Sequence, residues 1–178
     1  LTALSRYQLT GVDVSREALN LAKHRTPSAR LSLLDIERET LPEKFDLVMS
    51  IQVVEHLLDD TAAFRNMASM SRAYVLVSTI LGRMRPSEVV IGHVRNYSTI
   101  ELRQKLDVAG LEVIRIWNWG FPFYSPLIRS IVEWLPGGPP SGPLGPVARF
   151  AARVLYLLYR LNWPGRGEIV SVLARPAS

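Results

Sequence analysis

Asp13 closes the apolar run LTGVDV at residues 9–14, and Ser15 directly after it can start a helix. In an α/β sheet, ligands gather beyond the carboxyl ends of the strands. A carboxylate placed there can accept hydrogen bonds from both hydroxyls of a ribose. The plainer reading is an acid favoured by the dipole of the following helix, and the strand-end position weighs against it. Asp13 alone does not choose the cofactor, because an NAD-dependent dehydrogenase puts an acid in the same spot. Further acids and imidazoles follow the next apolar runs: Asp35 beside Ile36, then Glu55-His56 after Ser50 and Gln52. A later loop carries His93, Arg95 and Tyr97. Imidazole titrates near neutrality, so His56 and His93 are candidate general bases. Arg95 is a candidate anion contact, with Tyr97 beside it as a candidate substrate contact. Two plainer readings stay open: His56 as a residue that orients its own loop, and 93–97 as a surface loop tied by its own polar groups.

The elements that must position these residues alternate. Strands are expected at 7–14, 30–36 (RLSLLDI), 45–53 (FDLVMSIQV) and 73–81 (AYVLVSTIL). Between the first two, Ser15 caps a helix to Arg25, with Ala18, Leu19, Leu21 and Ala22 on one face. Asp59 or Asp60 caps a second helix through Ser71, with Ala63, Phe64, Met67 and Ala68 facing inward. Near-continuous apolar strands separated by helices indicate a parallel sheet covered on both faces. Ser98 and Glu101 form a capping box for a helix to Ala109, stopped by Gly110. A further strand is expected at 111–119 and a final one at 168–174. Seven prolines fall between 122 and 146. That stretch interrupts the pattern, with one short helix at 127–135 and an apolar helix at 147–163 after it.

GVDVS, LLDIERETLP and FDLVMSIQVVEHLLD, followed by GHVRNYSTIELRQKLDVAGLEVIRIWNWGFPF, resemble the class I S-adenosylmethionine-dependent methyltransferases. The nearest resemblance is to the small-molecule branch of ubiquinone-type O-methyltransferases. Each motif is weak alone, and four in order at the right spacing are more specific. The resemblance implies a doubly wound, mostly parallel Rossmann-like sheet with an antiparallel final strand, and S-adenosylmethionine as cofactor. It implies that Asp13 and Val14 hold the ribose end. Asp35 would accept from the adenine amino group, Ile36 would pack the ring, and Ser50 and Gln52 would border the same cleft. Some members carry an acid three residues before the Glu-His pair, making a carboxylate-carboxylate-imidazole metal site. Here that position is Gln52, a neutral and weaker ligand, so no metal is expected. A sulfonium methyl is already activated, so no catalytic triad is needed.

Two units are expected: an α/β core at 1–122 plus 167–178, and an insertion at 123–166 acting as lid or substrate cap. On the helix at 147–163, Arg149, Arg153, Tyr156 and Arg160 form one stripe beside a broad apolar face. Such a helix suits either a lid or the surface of an anionic membrane. Both fit a small, apolar or lipid-like acceptor. The chain has no cysteine, which excludes disulfides, thiolate metal sites and a cysteine nucleophile. No signal peptide is readable, so a cytoplasmic protein with peripheral membrane contact is expected. Net charge is +5, from 18 arginines and 3 lysines against 16 acids, with pI near 9.9. A nucleic-acid methyltransferase and a noncatalytic methyltransferase-like module are the alternatives. No dense basic tract with interleaved aromatics supports the first. Only residues 1–6 precede the first strand, so the chain is expected to be a fragment whose glycine-rich loop lies upstream.

Overall fold

The computed structural model describes residues 6–133 and 145–177. The proline-rich stretch at 134–144, including the end of the helix expected at 127–135, lies outside the described residues. The strands are β1 (Thr10–Asp13), β2 (Arg30–Leu33), β3 (Phe45–Ile51), β4 (Ser71–Ile80), β5 (Leu111–Trp119) and β6 (Ile169–Pro176). The helices are α1 (Arg16–Arg25), α2 (Asp60–Met70), α3 (Pro86–Val90), α4 (Thr99–Val108), α5 (Arg129–Glu133) and α6 (Pro146–Tyr159).

Local chemistry explains several starts. Ser15 accepts from the Ala18 amide, Asp59 from Ala62 and Ser98 from Glu101, each satisfying an otherwise orphaned N–H of a first helical turn. The first three strands are shorter than the apolar runs that announced them. The backbone of β2 stops pairing at Leu33, and Asp35 and Ile36 belong to the connection beyond it. Where a helix was expected from Leu127, the chain first makes a wide turn over Phe123–Ile128 with Pro126 inside it, and α5 starts only at Arg129.

Strand pairing divides the molecule. β1 and β2 form a parallel pair of their own. The other four run in the order β3-β4-β6-β5. β3 and β4 are parallel, and β6 is antiparallel to both β4 and β5, so three of these four strands share one direction. This is the mixed, mostly parallel Rossmann-like arrangement with a reversed final strand that the sequence led one to expect.

The core sits under the four-stranded sheet. Val54, Phe64, Met67, Val75, Val77, Leu102, Leu106, Leu111, Val170 and Val172 form one apolar cluster, with α2 and α4 packed against the strands. Coverage on both faces is not what the structure has. Leu47, Met49 and Ile51 of β3 are about half exposed, because among the described residues no helix lies on that side. The expected inward face of α1 is also open: α1 has no buried residue, and Leu21 is exposed. Among the described residues α1 packs mainly on the short β1-β2 pair, which is too small to cover it.

Candidate active site

β1 and β2 are parallel, so their carboxyl ends lie on one edge, with Asp13 paired to Leu33 in register. Asp13 is exposed, and its Oδ1 accepts from the Ser15 amide at 2.8 Å. Val14 beside it is exposed. Asp35 Oδ1 accepts from the Glu37 amide at 3.0 Å. Ile36 is half-buried against the main core, and its carbonyl accepts from Asn66 Nδ2 at 2.7 Å. Asp59 N donates to Glu37 Oε1 at 2.5 Å. These bonds bring the end of β2 beside the start of α2, which follows the loop leaving β3. The carboxyl ends of β1, β2 and β3 are thereby turned to one side of the molecule.

On that loop, Ser50 is buried at the end of β3, and Gln52 is exposed. Gln52 carries a positive φ of 54° while its amide donates to the Ser78 carbonyl at 2.8 Å. The left-handed backbone turns the chain sharply off the strand, where a β-branched residue would be strained. Glu55 follows in a single turn of 3-10 helix, Val54–His56, and is completely buried. Its Oε2 accepts from Thr79 Oγ1 at 2.8 Å, while Oε1 has no partner.

The loop after β4 brings His93 to this turn. Val94 N donates to the Glu55 carbonyl at 2.9 Å, and the His56 and His93 rings meet edge to face with centroids 4.6 Å apart. His56 Nδ1 lies 3.0 Å from the Gly92 carbonyl, which orients the ring. His93 is buried, and its Nδ1 has no partner. One carboxylate oxygen of Glu55 and one nitrogen of each histidine lie within 4.8 Å of one another. Such a donor set can move a proton or hold a divalent ion. The third residue of this set is His93, 37 positions beyond His56, and not Gln52.

Two expected substrate contacts are occupied elsewhere. Arg95 donates from Nη1 to the Leu57 carbonyl and from Nη2 to the Leu58 carbonyl, and it pairs with Asp60 at 3.2 Å. It clamps the loop between β3 and α2, with both terminal nitrogens engaged there. Tyr97 is buried at 1% exposure, with its hydroxyl 2.8 Å from Asp60 Oδ2 and 3.1 Å from the Val54 carbonyl. Burial first, then the Asp60 carboxylate, pushes its phenol far above the usual range. For Asp60, burial pushes the carboxyl up. Hydrogen bonds from Lys105 and Tyr97 and the Arg95 charge outweigh that and hold it below the usual range. Arg95 and Tyr97 are therefore parts of the scaffold.

The cavity nearest the histidines was not foreseen. It has a volume of about 170 Å³ and is lined by Gln52, His93, Ile80, Ile91, Tyr124 and Ile128, among others. An ion network borders it: Arg129 pairs with both Glu88 and Glu168, and Arg85 lies 3.7 Å from Glu168. Burial pushes Glu88 up, but hydrogen bonds from Asn96, Arg129 and the Arg85 amide hold its carboxyl below the usual range. Burial pushes the Tyr124 phenol up. Arg129 and Glu168 are 39 residues apart, and no local pattern announces their pairing. The insertion expected at 123–166 thus lends Tyr124, Ile128 and Arg129 to the cavity wall.

Comparison with known proteins follows this geometry. Residues 1–73 match the profile of a family described as a methyltransferase domain. No curated protein matches the sequence. Among solved structures, a putative methyltransferase from Bacillus halodurans is similar at TM-score 0.63 and 13% identity, covering 97% of this chain and 84% of that one. A TehB-like SAM-dependent methyltransferase from Corynebacterium glutamicum gives TM-score 0.57 and 15% identity, covering 95% of this chain and 68% of that one. The O-methyltransferase of a trans-AT PKS multienzyme from Brevibacillus brevis, in complex with S-adenosyl-L-homocysteine, gives TM-score 0.61 and 16% identity, covering 96% of this chain and 59% of that one. These likenesses establish the methyltransferase type of Rossmann-like fold. With the family match, they support a methyltransferase.

Proposed function

We propose that this protein transfers the methyl group of S-adenosylmethionine to a small, apolar or lipid-like acceptor. The observation that carries the reading is the pair of carboxylates, Asp13 and Asp35, on the shared carboxyl edge of β1 and β2, inside the segment that matches the methyltransferase profile. The residues fit the cofactor chemically. Asp13 is exposed and uses one oxygen on Ser15, leaving the other to accept from ribose hydroxyls. Asp35 would accept from the adenine amino group, and Ile36 offers an apolar surface to the ring. Val14, Ser50 and Gln52 would border the same cleft.

Bound S-adenosylmethionine supplies an electrophilic methyl on a sulfonium. The protein's own part is alignment and proton removal. His93, which lines the cavity, would take the proton of an acceptor hydroxyl as that hydroxyl receives the methyl group. The nearby Glu55 carboxylate offsets the positive charge that His93 gains, and His56 holds the loop beside it. The isoleucines and Tyr124 suit an apolar acceptor body, while insertion residues 123–166 cap that side. Peripheral membrane contact through 147–163 completes the reading.

The test is calorimetric titration with S-adenosylmethionine, followed by transfer of labelled methyl to lipid-like phenols or alcohols. Asp13→Ala should weaken cofactor binding by about tenfold or more, since a hydrogen bond to a charged group contributes ~1.5–3 kcal/mol. Unchanged affinity would remove Asp13 from the site.

A further inference from the structure

α6 has no buried residue, although it is the most apolar long helix of the chain. It meets the rest of the protein along one edge only. The Tyr159 ring packs against Trp119 and Tyr124, and just past the helix Asn162 Oδ1 accepts from the Phe123 amide at 2.9 Å. The opposite side is open. Val147, Phe150, Val154 and Leu157 recur at intervals of three and four, which places them in one stripe on a helix of 3.6 residues per turn, and Leu161 follows in the turn just past its end. All five are exposed, Val147 at 83% and Phe150 at 69%. Arg149, Arg153 and Arg160 form a second stripe along its flank, exposed and without an ion pair among the described residues. Trp163, also exposed, continues the surface with Arg166 stacked over its ring.

Charge decides what covers this face. No acid occurs between Glu133 and Glu168, a span that holds Arg149, Arg153, Arg160 and Arg166. A second copy of the helix would bring arginines to arginines with no carboxylate to receive them. A surface that is apolar inside and anionic at its rim meets both stripes at once. We propose that α6 docks in the plane of an anionic lipid bilayer, with the Val147–Leu157 stripe in the acyl boundary and the arginines among the headgroups. This deepens the membrane contact proposed above and rests on it. Tyr156 and Trp163 are the amphipathic rings that favour such an interface. Among the described residues no helix is long and apolar enough to cross a membrane, so α6 lies on the bilayer and does not span it. The wide turn that α6 packs on also supplies Tyr124 and Ile128 to the cavity wall, so docking would hold the acceptor side close to the lipid.

The full chain is to be sedimented with vesicles of equimolar phosphatidylglycerol and phosphatidylcholine, and with vesicles of phosphatidylcholine alone, without S-adenosylmethionine. The chain should pellet with the anionic vesicles and be released by high salt. Each arginine near the surface should account for about fivefold in partitioning, so the Arg149→Gln/Arg153→Gln/Arg160→Gln variant should lose on the order of a hundredfold. Phe150→Ser/Leu157→Ser should also detach, with an unchanged circular dichroism spectrum. No pelleting, equal pelleting on both vesicle types, or a concentration-dependent dimer broken by Phe150→Ser/Leu157→Ser would overturn the proposal. Because no cofactor is present, these outcomes leave the methyl-transfer reading to its own titration.

Discussion

The β1-α1-β2 unit and the four-stranded sheet are built from similar sequence and end in opposite conditions. In the first, a ten-residue helix with a satisfied N-cap has no buried residue, and among the described residues the two strands pair only with each other. In the second, α2 and α4 bury Phe64, Met67, Leu102 and Leu106 against strands that share one cluster. The two are tied by a few bonds from the 36–41 connection to α2 and the loop before it. Good local signals make a helix; only area covered by a partner makes it stable. The consequence for function is a division of labour. The carboxylates proposed for the cofactor stand on the lightly held unit, while the histidines and the cavity stand on the well-packed one.

Mutations should respond to this contrast unequally. Phe64→Ala removes a fully buried ring from the cluster and should cost about 3–5 kcal/mol, read as a fall in the urea midpoint with little change in slope. A cost below about 1 kcal/mol would show that the four-stranded unit is packed no better than the first.

Acid should attack the well-packed unit through two carboxylates. Asp60 and Glu88 are held below their ordinary values in the fold, Asp60 by Lys105, Tyr97 and Arg95, and Glu88 by Asn96, Arg129 and the Arg85 amide. A carboxyl with a depressed folded pKa binds fewer protons folded than unfolded, so stability rises with pH across that interval. Their contribution is complete above the ordinary carboxylate range, about 4 to 4.5, and is lost as pH falls through the lower folded values. Urea midpoints should therefore be flat above about pH 5.5 and fall steeply below about pH 4. Asp60→Asn should flatten part of that limb. A limb of unchanged steepness would detach Asp60 from acid stability.

The smallest effect belongs to α1. Leu21→Gln replaces an exposed leucine with another good helix former and should change stability by no more than about 0.5 kcal/mol. A loss of about 2 kcal/mol or more would mean that the open face of α1 is covered in solution.

Much of the local structure was legible because its causes are local. Ser15, Asp59 and Ser98 each bond an amide three residues away, so type and spacing alone announce the helix starts. The apolar runs announced the strands, while the antiparallel pairing of β5 with β6 was an expectation from the family resemblance. The places of Asp13, Asp35 and Gln52 at strand ends follow from the same pattern.

What each polar side chain faces was decided only in three dimensions. Arg95 and Tyr97 read as loop residues open to substrate, yet Asp60, 35 residues or more away in sequence, draws both into the scaffold. Glu55 reads as one of the acids that follow an apolar run, and folding buries it beside two imidazoles that come from different loops. The Arg129 network joins residues about 40 positions apart, and the open side of α6 depends on which single edge of that helix finds a partner. Capping and periodicity act within one or two turns of chain and are written in neighbouring letters. Burial, ion pairing and exposure depend on which distant segments arrive, and no window of the sequence contains them.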